Sequence, residues 1–162
     1  MSLTRAELER FVARLATSPE RWAPHVAHSE TARVYRQIWD DEDINAWLIC
    51  WSEDQDTGFH DHDESAAAIQ VISGHVREDR LRLDGPPQTR IFGPSERFSL
   101  PASAIHRVLH AGNEPAVTIH AYSPPLRRTG AYAVTRDGIL ERTALRYEVE
   151  LRAEPALTAG VR

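Results

Sequence analysis

The hydrophobic pattern of the chain changes period once. Leu8, Phe11, Val12 and Leu15 recur at helical spacing, and Thr4 with Glu7 stands before them as a capping box, which predicts an amphipathic helix over 4–16. Ser18-Pro19 suits an N-cap and first-turn proline, so a second, short helix is expected through Trp22, ending before Pro24. From Arg33 onward the apolar positions fall instead in short runs rich in β-branched and aromatic residues. Gly, Pro or Asp breaks these runs about every 8–12 residues, the punctuation of sandwiches and barrels. Strands are expected near 33–39, 45–52, 58–62, 66–73, 76–83, 89–92, 97–100, 105–110, 116–122, 131–135 and 139–149. Asp84-Gly85-Pro86-Pro87 and Asp137-Gly138 read as turns, with Gly supplying positive φ and Pro fixing φ. No repeat, linker or low-complexity segment interrupts the pattern. One domain is therefore expected over 1–162, with a helical segment at 4–24, a barrel at 33–149 and a loosely held tail containing Pro155 and Gly160.

Composition narrows the function. The 162 residues are enough to bury one sizeable core without disulfides. Lys plus Arg number 19 against 24 Asp plus Glu, for a net charge of -5, and the basic residues are scattered. That argues against a nucleic-acid surface or an anionic-membrane anchor, both of which need a positive stripe. No apolar run approaches the roughly 20 residues needed to span a bilayer. The single cysteine, Cys50, can form no internal disulfide, and no apolar run of signal-peptide length opens the chain, so a cytoplasmic location is expected. Between Ile49 and Trp51 in an apolar run, Cys50 reads as a packing residue.

The candidate chemistry lies in three stretches. In Phe59-His-Asp-His-Asp-Glu-Ser65 the histidines His60 and His62 are one residue apart. On a strand both imidazoles leave one face while Asp61 points to the other, so the pair can converge on one metal. A third ligand is best supplied by His106, in the apolar segment Leu100–His110. Three neutral imidazoles around a divalent first-row ion leave positions open for exogenous ligands. His25, His28 and His75 read as surface or satisfied histidines, and His110 reads either as a second polar group near the metal or as a strand residue facing away. In Thr118-Ile-His-Ala-Tyr122 the hydroxyl, imidazole and phenol share a face and could relay hydrogen bonds; the plainer alternative is a strand aromatic with a polar neighbour. Arg36 shares a face with Val34 and Ile38, as an inward charge awaiting a ligand or as half of a surface ion pair.

These residues also carry a resemblance. The chain resembles the cupin superfamily of small β-barrels, whose first motif is G-x5-H-x-H-x3,4-E-x6-G and second is P-x-G-x2-H-x3-N. His60, His62 and Gly74 fall in register with the first, Ala67 stands where its glutamate ligand would be, and Pro101, Ser103, His106 and His110 take the places of the second motif's Pro, Gly, His and Asn. Loss of the carboxylate ligand marks one branch, and the chain is similar to the thiol dioxygenases of the cysteine dioxygenase family, bacterial type. The markers are Leu48-Ile-Cys-Trp51, His60-Asp-His62 with Ser65, Gly74 and Glu78, Ile105-His-Arg-Val108, and Glu114-Pro-Ala-Val-Thr-Ile-His-Ala-Tyr-Ser-Pro-Pro125.

The resemblance implies an all-β, jelly-roll-like cupin barrel with one or two short helices packed outside. It implies Fe(II) held by His60, His62 and His106, a Thr118–His120–Tyr122 relay in which Thr118 replaces the family's usual Ser, and a cis Ser123–Pro124 bond. It makes Arg36 the partner of the substrate carboxylate, an arginine fork being able to meet it with two parallel hydrogen bonds. Gln37, Arg127 and Arg128 keep open a sister arrangement for mercaptopropionate. Some animal members join the tyrosine to a cysteine by a thioether; the matching position here is Ala67, so that crosslink is not expected. The implied reaction joins a small thiol, L-cysteine in the first instance, with O2 to give the sulfinic acid. The same reaction on mercaptopropionate, cysteamine or a larger sulfur metabolite, and a non-catalytic cupin binding a metal or small ligand, are the alternatives. A structural zinc site fits less well, since such sites normally fill four positions with protein ligands that include cysteine.

Overall fold

The structure, a computed structural model, describes residues 2–147. Its helices are α1 (Arg5–Ala16) and α2 (Pro19–Trp22), followed by a 3-10 turn at Ala23–His25. The eleven strands among the described residues are β1 (Val34–Asp40), β2 (Asn45–Trp51), β3 (His60–Asp61), β4 (Ala66–Ser73), β5 (His75–Arg82), β6 (Gly85–Phe92), β7 (Arg97–Leu100), β8 (His106–Ala111), β9 (Ala116–Ser123), β10 (Arg128–Val134) and β11 (Leu140–Arg146). They form two antiparallel sheets, ordered β1-β2-β9-β4-β7 and β11-β10-β3-β8-β5-β6.

The capping box at the start of α1 is formed in both directions: the Glu7 backbone N–H donates to the Thr4 hydroxyl, and the Thr4 N–H to the Glu7 carboxylate. Leu8, Phe11, Val12 and Leu15 are buried against the outer face of the first sheet, over β4, β9 and β7, in one cluster with Ala68, Ile119 and Ala121. Each such side chain contributes about 1.5–3 kcal/mol of transfer free energy, so the helix is held by its stripe more than by its propensity. Ser18 precedes α2, but its side chain does not cap the helix; the hydroxyl turns back to the Arg14 carbonyl.

The opposite face of the first sheet points between the two sheets. Trp47, Ile49, Trp51, Ala67, Ile69, Val71 and Tyr122 lie there, packed with Val76, Phe92, Phe98 and Val108. Because strand side chains alternate, one sheet thus carries both an outer, helix-covered cluster and an inner one.

Three expectations need correction. The strand expected near 58–62 is reduced to His60–Asp61. The turn expected at Asp84–Pro87 is shorter and starts one residue earlier, at Leu83–Asp84: Gly85, Pro86 and Pro87 already belong to β6, and Gly85 lacks positive φ. β6 is an edge strand, and its register with β5 slips between the pairs Arg80↔Gln88 and Arg82↔Gly85, where the two prolines sit. Residues without an N–H are tolerated at an edge and a bulge. The strand expected from 131 starts at Arg128. Gly138 does take positive φ, 78°, as the Asp137-Gly138 turn requires. The final residues of the strand expected to 149, and the C-terminal tail, lie outside the described residues.

Candidate metal centre

β3 lies between β8 and β10 in the second sheet, and its first residue, His60, pairs directly with His106 of β8. Paired residues project to the same face, so the local pairing alone brings these two imidazoles together. His62, two residues on from His60, joins them. The Nε2 atoms of His60 and His62 are 3.2 Å apart and those of His62 and His106 3.4 Å; one ligand atom from each of the three lies within 4.8 Å of the others. All three are buried, at 3%, 1% and 1% exposure, so they can reach little water.

The outward nitrogens fix the tautomers. His60 Nδ1 is 3.1 Å from the Gly58 carbonyl and His106 Nδ1 is 3.2 Å from a Glu78 carboxylate oxygen. Both partners only accept, so each Nδ1 carries the hydrogen and each Nε2 presents a lone pair to the centre. Burial first, then the nearby His60, His120 and Arg80, holds the His106 imidazole well below its ordinary pKa and therefore neutral. Glu78 is itself held by Arg80, whose Nη2 donates to it at 2.8 Å. Converging ring nitrogens on three buried histidines, two of them backed by a carbonyl and a carboxylate, are a donor set that a divalent first-row cation could complete.

β9 runs beside this centre. Thr118, His120 and Tyr122 share the inward face, with Thr118 Oγ1 2.9 Å from His120 Nε2 and Tyr122 Oη 3.3 Å from His120 Nδ1. The line begins one residue earlier in space, because the buried Trp51 Nε1–H donates to Thr118 Oγ1 at 2.8 Å. It ends at the histidines: the Tyr122 and His62 rings lie 4.9 Å apart, centre to centre. Burial, with the charges of His60 and Arg33, lowers the His120 pKa to about 3, so the imidazole in the middle of the line is neutral.

Arg36 does not point inward. It pairs with Leu48, whose side chain belongs to the helix-covered cluster, and the guanidinium is exposed. Sharing a face with Val34 and Ile38 is what sends it there, since those two pack on the same outer cluster. The inward arginine is Arg33, one residue before β1. It is 5% exposed, its guanidinium lies 5.3 Å from the Trp51 ring centre, and it bounds a small hollow with Thr57, His60, His120 and Tyr122. His110 is remote from the centre: its ring Nε2 lies 2.9 Å from the Glu114 carbonyl oxygen, and it lines a surface hollow with His28, Glu53 and Asn113. Arg127 and Arg128 are exposed and line an open groove that His62 borders with Pro124 and Pro125; the Ser123–Pro124 peptide is cis.

The sequence profile of the family described as cysteine dioxygenase type I matches residues 6–135. The chain belongs to the cysteine dioxygenase type I family. The cysteine dioxygenase type 1 proteins of Bos taurus and Homo sapiens are each 25% identical to it over 137 residues, covering 78% of this chain and 68% of theirs. Among solved structures, a cupin superfamily protein from Desulfitobacterium hafniense DCB-2 matches with a TM-score of 0.53 and 12% identity over 64% of this chain and 87% of its own. A protein with a double-stranded β-helix domain from Klebsiella pneumoniae matches at 0.55, with 16% identity over 63% and 80%. At those identities the solved structures show the fold alone, and that fold is the all-β cupin barrel.

Within this cysteine dioxygenase family member, Ala67 pairs directly across β4 and β9 with Tyr122. An alanine there offers no sulfur, and Cys50 faces the other side of the sheet, buried in the helix-covered cluster with its thiol pKa raised by burial. The phenol therefore carries no thioether to either residue. Sequence reading marked Trp51 and Glu78 without roles and missed Arg33. Parity alone could not have found the last: in Arg33-Val-Tyr-Arg-Gln37 the odd positions, with Tyr35, face inward, but Val34 and Ile38 make the even face as apolar.

Proposed function

We propose that the protein is a non-haem Fe(II) dioxygenase that converts a small thiol, L-cysteine in the first instance, and O2 to the sulfinic acid. The observation that carries this is the meeting of three buried imidazoles with a hydrogen-bonded tyrosine inside a cysteine dioxygenase-family barrel. Fe(II) held by His60, His62 and His106 would supply neighbouring coordination positions at which a sulfur and an oxygen ligand can meet.

The protein's own groups then have separable tasks. Three neutral ligands add no negative charge, so a cationic centre among them favours the thiolate over the thiol. Thr118 accepts from Trp51 and has its own proton to give to His120 Nε2; the remaining hydrogen of the neutral ring, on Nδ1, then goes to Tyr122 Oη. With its oxygen so engaged, Tyr122 presents its phenol at the wall of the hollow, where it can meet a bound ligand. Arg33, on the wall of that hollow, is the residue suited to a substrate carboxylate, in place of Arg36. Both oxygen atoms of O2 end on sulfur, RSH + O2 giving RSO2H, so no external reductant is needed.

The test is oxygen uptake by Fe(II)-loaded protein across a thiol panel led by L-cysteine, with the product mass recorded. A gain of two oxygen atoms on cysteine is expected. Full iron loading with no uptake on any thiol would overturn the proposal in favour of a ligand-binding cupin. The groove beside His62 with Arg127 and Arg128 favours a second reading, the same reaction on mercaptopropionate, and uptake confined to that thiol would select it.

A further inference from the structure

Two of the three histidines stand on very little strand. β3 is two residues long and pairs with one residue of β8 and two of β10. So short a ladder holds its side chains loosely unless something else fixes it.

What fixes it is the residue between the ligands. Asp61 points to the face opposite His60 and His62, and its carboxylate accepts five hydrogen bonds. Oδ1 accepts from the Gly130 N–H at 3.1 Å, the Asp63 N–H at 2.9 Å and Arg142 Nη2 at 2.9 Å. Oδ2 accepts from the Tyr132 hydroxyl at 2.6 Å and Arg142 Nε at 2.7 Å. Arg142 Nη2 also donates to Asp63 Oδ1 at 3.1 Å, tying down the turn that leads out of His62.

Arg142 comes from β11, which among the described residues pairs only with β10, so its side chain must cross β10 to reach β3. The strand is bare where it crosses. Gly130 is the direct partner of Asp61, and a Cβ on it would collide with Arg142 Nε and lie 2.6 Å from Cζ and 2.7 Å from Asp61 Oδ2. Any side chain at 130 would expel the guanidinium.

We propose that Asp61, Arg142, Tyr132 and the bare backbone of Gly130 form a clamp that positions His60 and His62 for the metal, so that the β10–β11 hairpin sets metal affinity from the outer face of the barrel. The proposal rests on the three-imidazole metal site and not on thiol turnover. None of the four residues offers a ligand atom; they act as positioning residues, through the backbone of β3.

The test is titration of metal-free protein with Co(II), reading affinity and the visible ligand-field band, at a temperature well below each variant's own unfolding midpoint. Gly130→Ala and Asp61→Asn are expected to weaken Co(II) binding by about tenfold or more and to alter the band, as loss of outer partners of metal sites does. Arg142→Gln, at an edge strand with its side chain 35% exposed, keeps the fold and is expected to weaken binding about tenfold by itself. Tyr132→Phe, which removes one bond of five, should change it less. A purely structural role would lower the unfolding midpoint and leave affinity and band unchanged; that result in folded Arg142→Gln overturns the clamp while leaving the metal site intact. Wild-type protein that takes up no Co(II) would overturn the metal site and the clamp together, whereas absent thiol oxidation touches neither.

Discussion

Replacing Arg33 by Gln removes the inward positive charge while keeping a polar side chain of similar reach. A carboxylate met by a guanidinium makes two charge-assisted hydrogen bonds, each worth about 1.5–3 kcal/mol in a site this dry, and the glutamine amide can still donate one of them. At 1.36 kcal/mol per tenfold, kcat/KM for L-cysteine should fall by about 10- to 150-fold. Cysteamine has the same thiol and amine without the carboxylate, so its kcat/KM should stay within about twofold, having no such bond to lose. Arg33 also lies 5.3 Å from the Trp51 ring centre, a contact worth about 1–2 kcal/mol when desolvated, so the unfolding midpoint should drop by several degrees without loss of the fold. Arg36→Gln, at an exposed position on the outer face, should leave both substrates unaffected. The assay is steady-state oxygen consumption on iron-loaded protein with matched metal content. Equal losses on cysteine and cysteamine would refute the carboxylate role, and a loss confined to Arg36→Gln would restore that residue to it.

Other outcomes follow from the same geometry. His106→Ala should abolish iron binding, and a variant with normal iron content by metal analysis would break the three-histidine assignment. Tyr122→Phe should retain iron and lose about 100-fold in kcat, the cost of one well-placed donor; an unimpaired rate would show the phenol idle. Gly74 has φ 65°, and a Cβ there would lie 2.5 Å from the Pro115 carbonyl oxygen, so Gly74→Ala should cost about 2–4 kcal/mol, readable as a lower midpoint in thermal unfolding. Acid should destabilise metal-free protein early. His120 has its pKa lowered to about 3 when folded against about 6.5 unfolded, so its contribution is complete above 6.5 and is lost as pH falls from there toward 3, by roughly 5 kcal/mol at most. Asp61 acts in the same direction lower down: burial would raise its carboxyl, but bonds from Arg142 and Tyr132 outweigh that and hold it well below the usual range, so its share is lost as pH falls below about 4. Chemical denaturation from pH 7 to 4 checks this, and a flat profile would contradict the neutral, buried His120.

What could be read in the chain beforehand is what depends on near neighbours. The capping box of α1, the shared face of His60 and His62, and the line Thr118–His120–Tyr122 are all fixed by periods of a few residues. What could not be read depends on which face of a strand the fold turns inward. Val34, Arg36 and Ile38 make as good an inward face as Arg33 and Tyr35 until the outer cluster is assembled, because only then do Val34 and Ile38 gain apolar partners on that side. The chain's two apolar clusters compete for the same strand, and the outer one, which includes the stripe of Leu8, Phe11, Val12 and Leu15, takes Val34 and Ile38. The placement of a single arginine beside the three histidines is therefore settled by packing on the far side of the sheet. Distance in sequence hides the Asp61 clamp in a similar way, since Arg142 is 81 residues from its partner. Its one local trace is Gly130, a glycine without positive φ inside a strand, where only the close passage of another group explains the missing side chain.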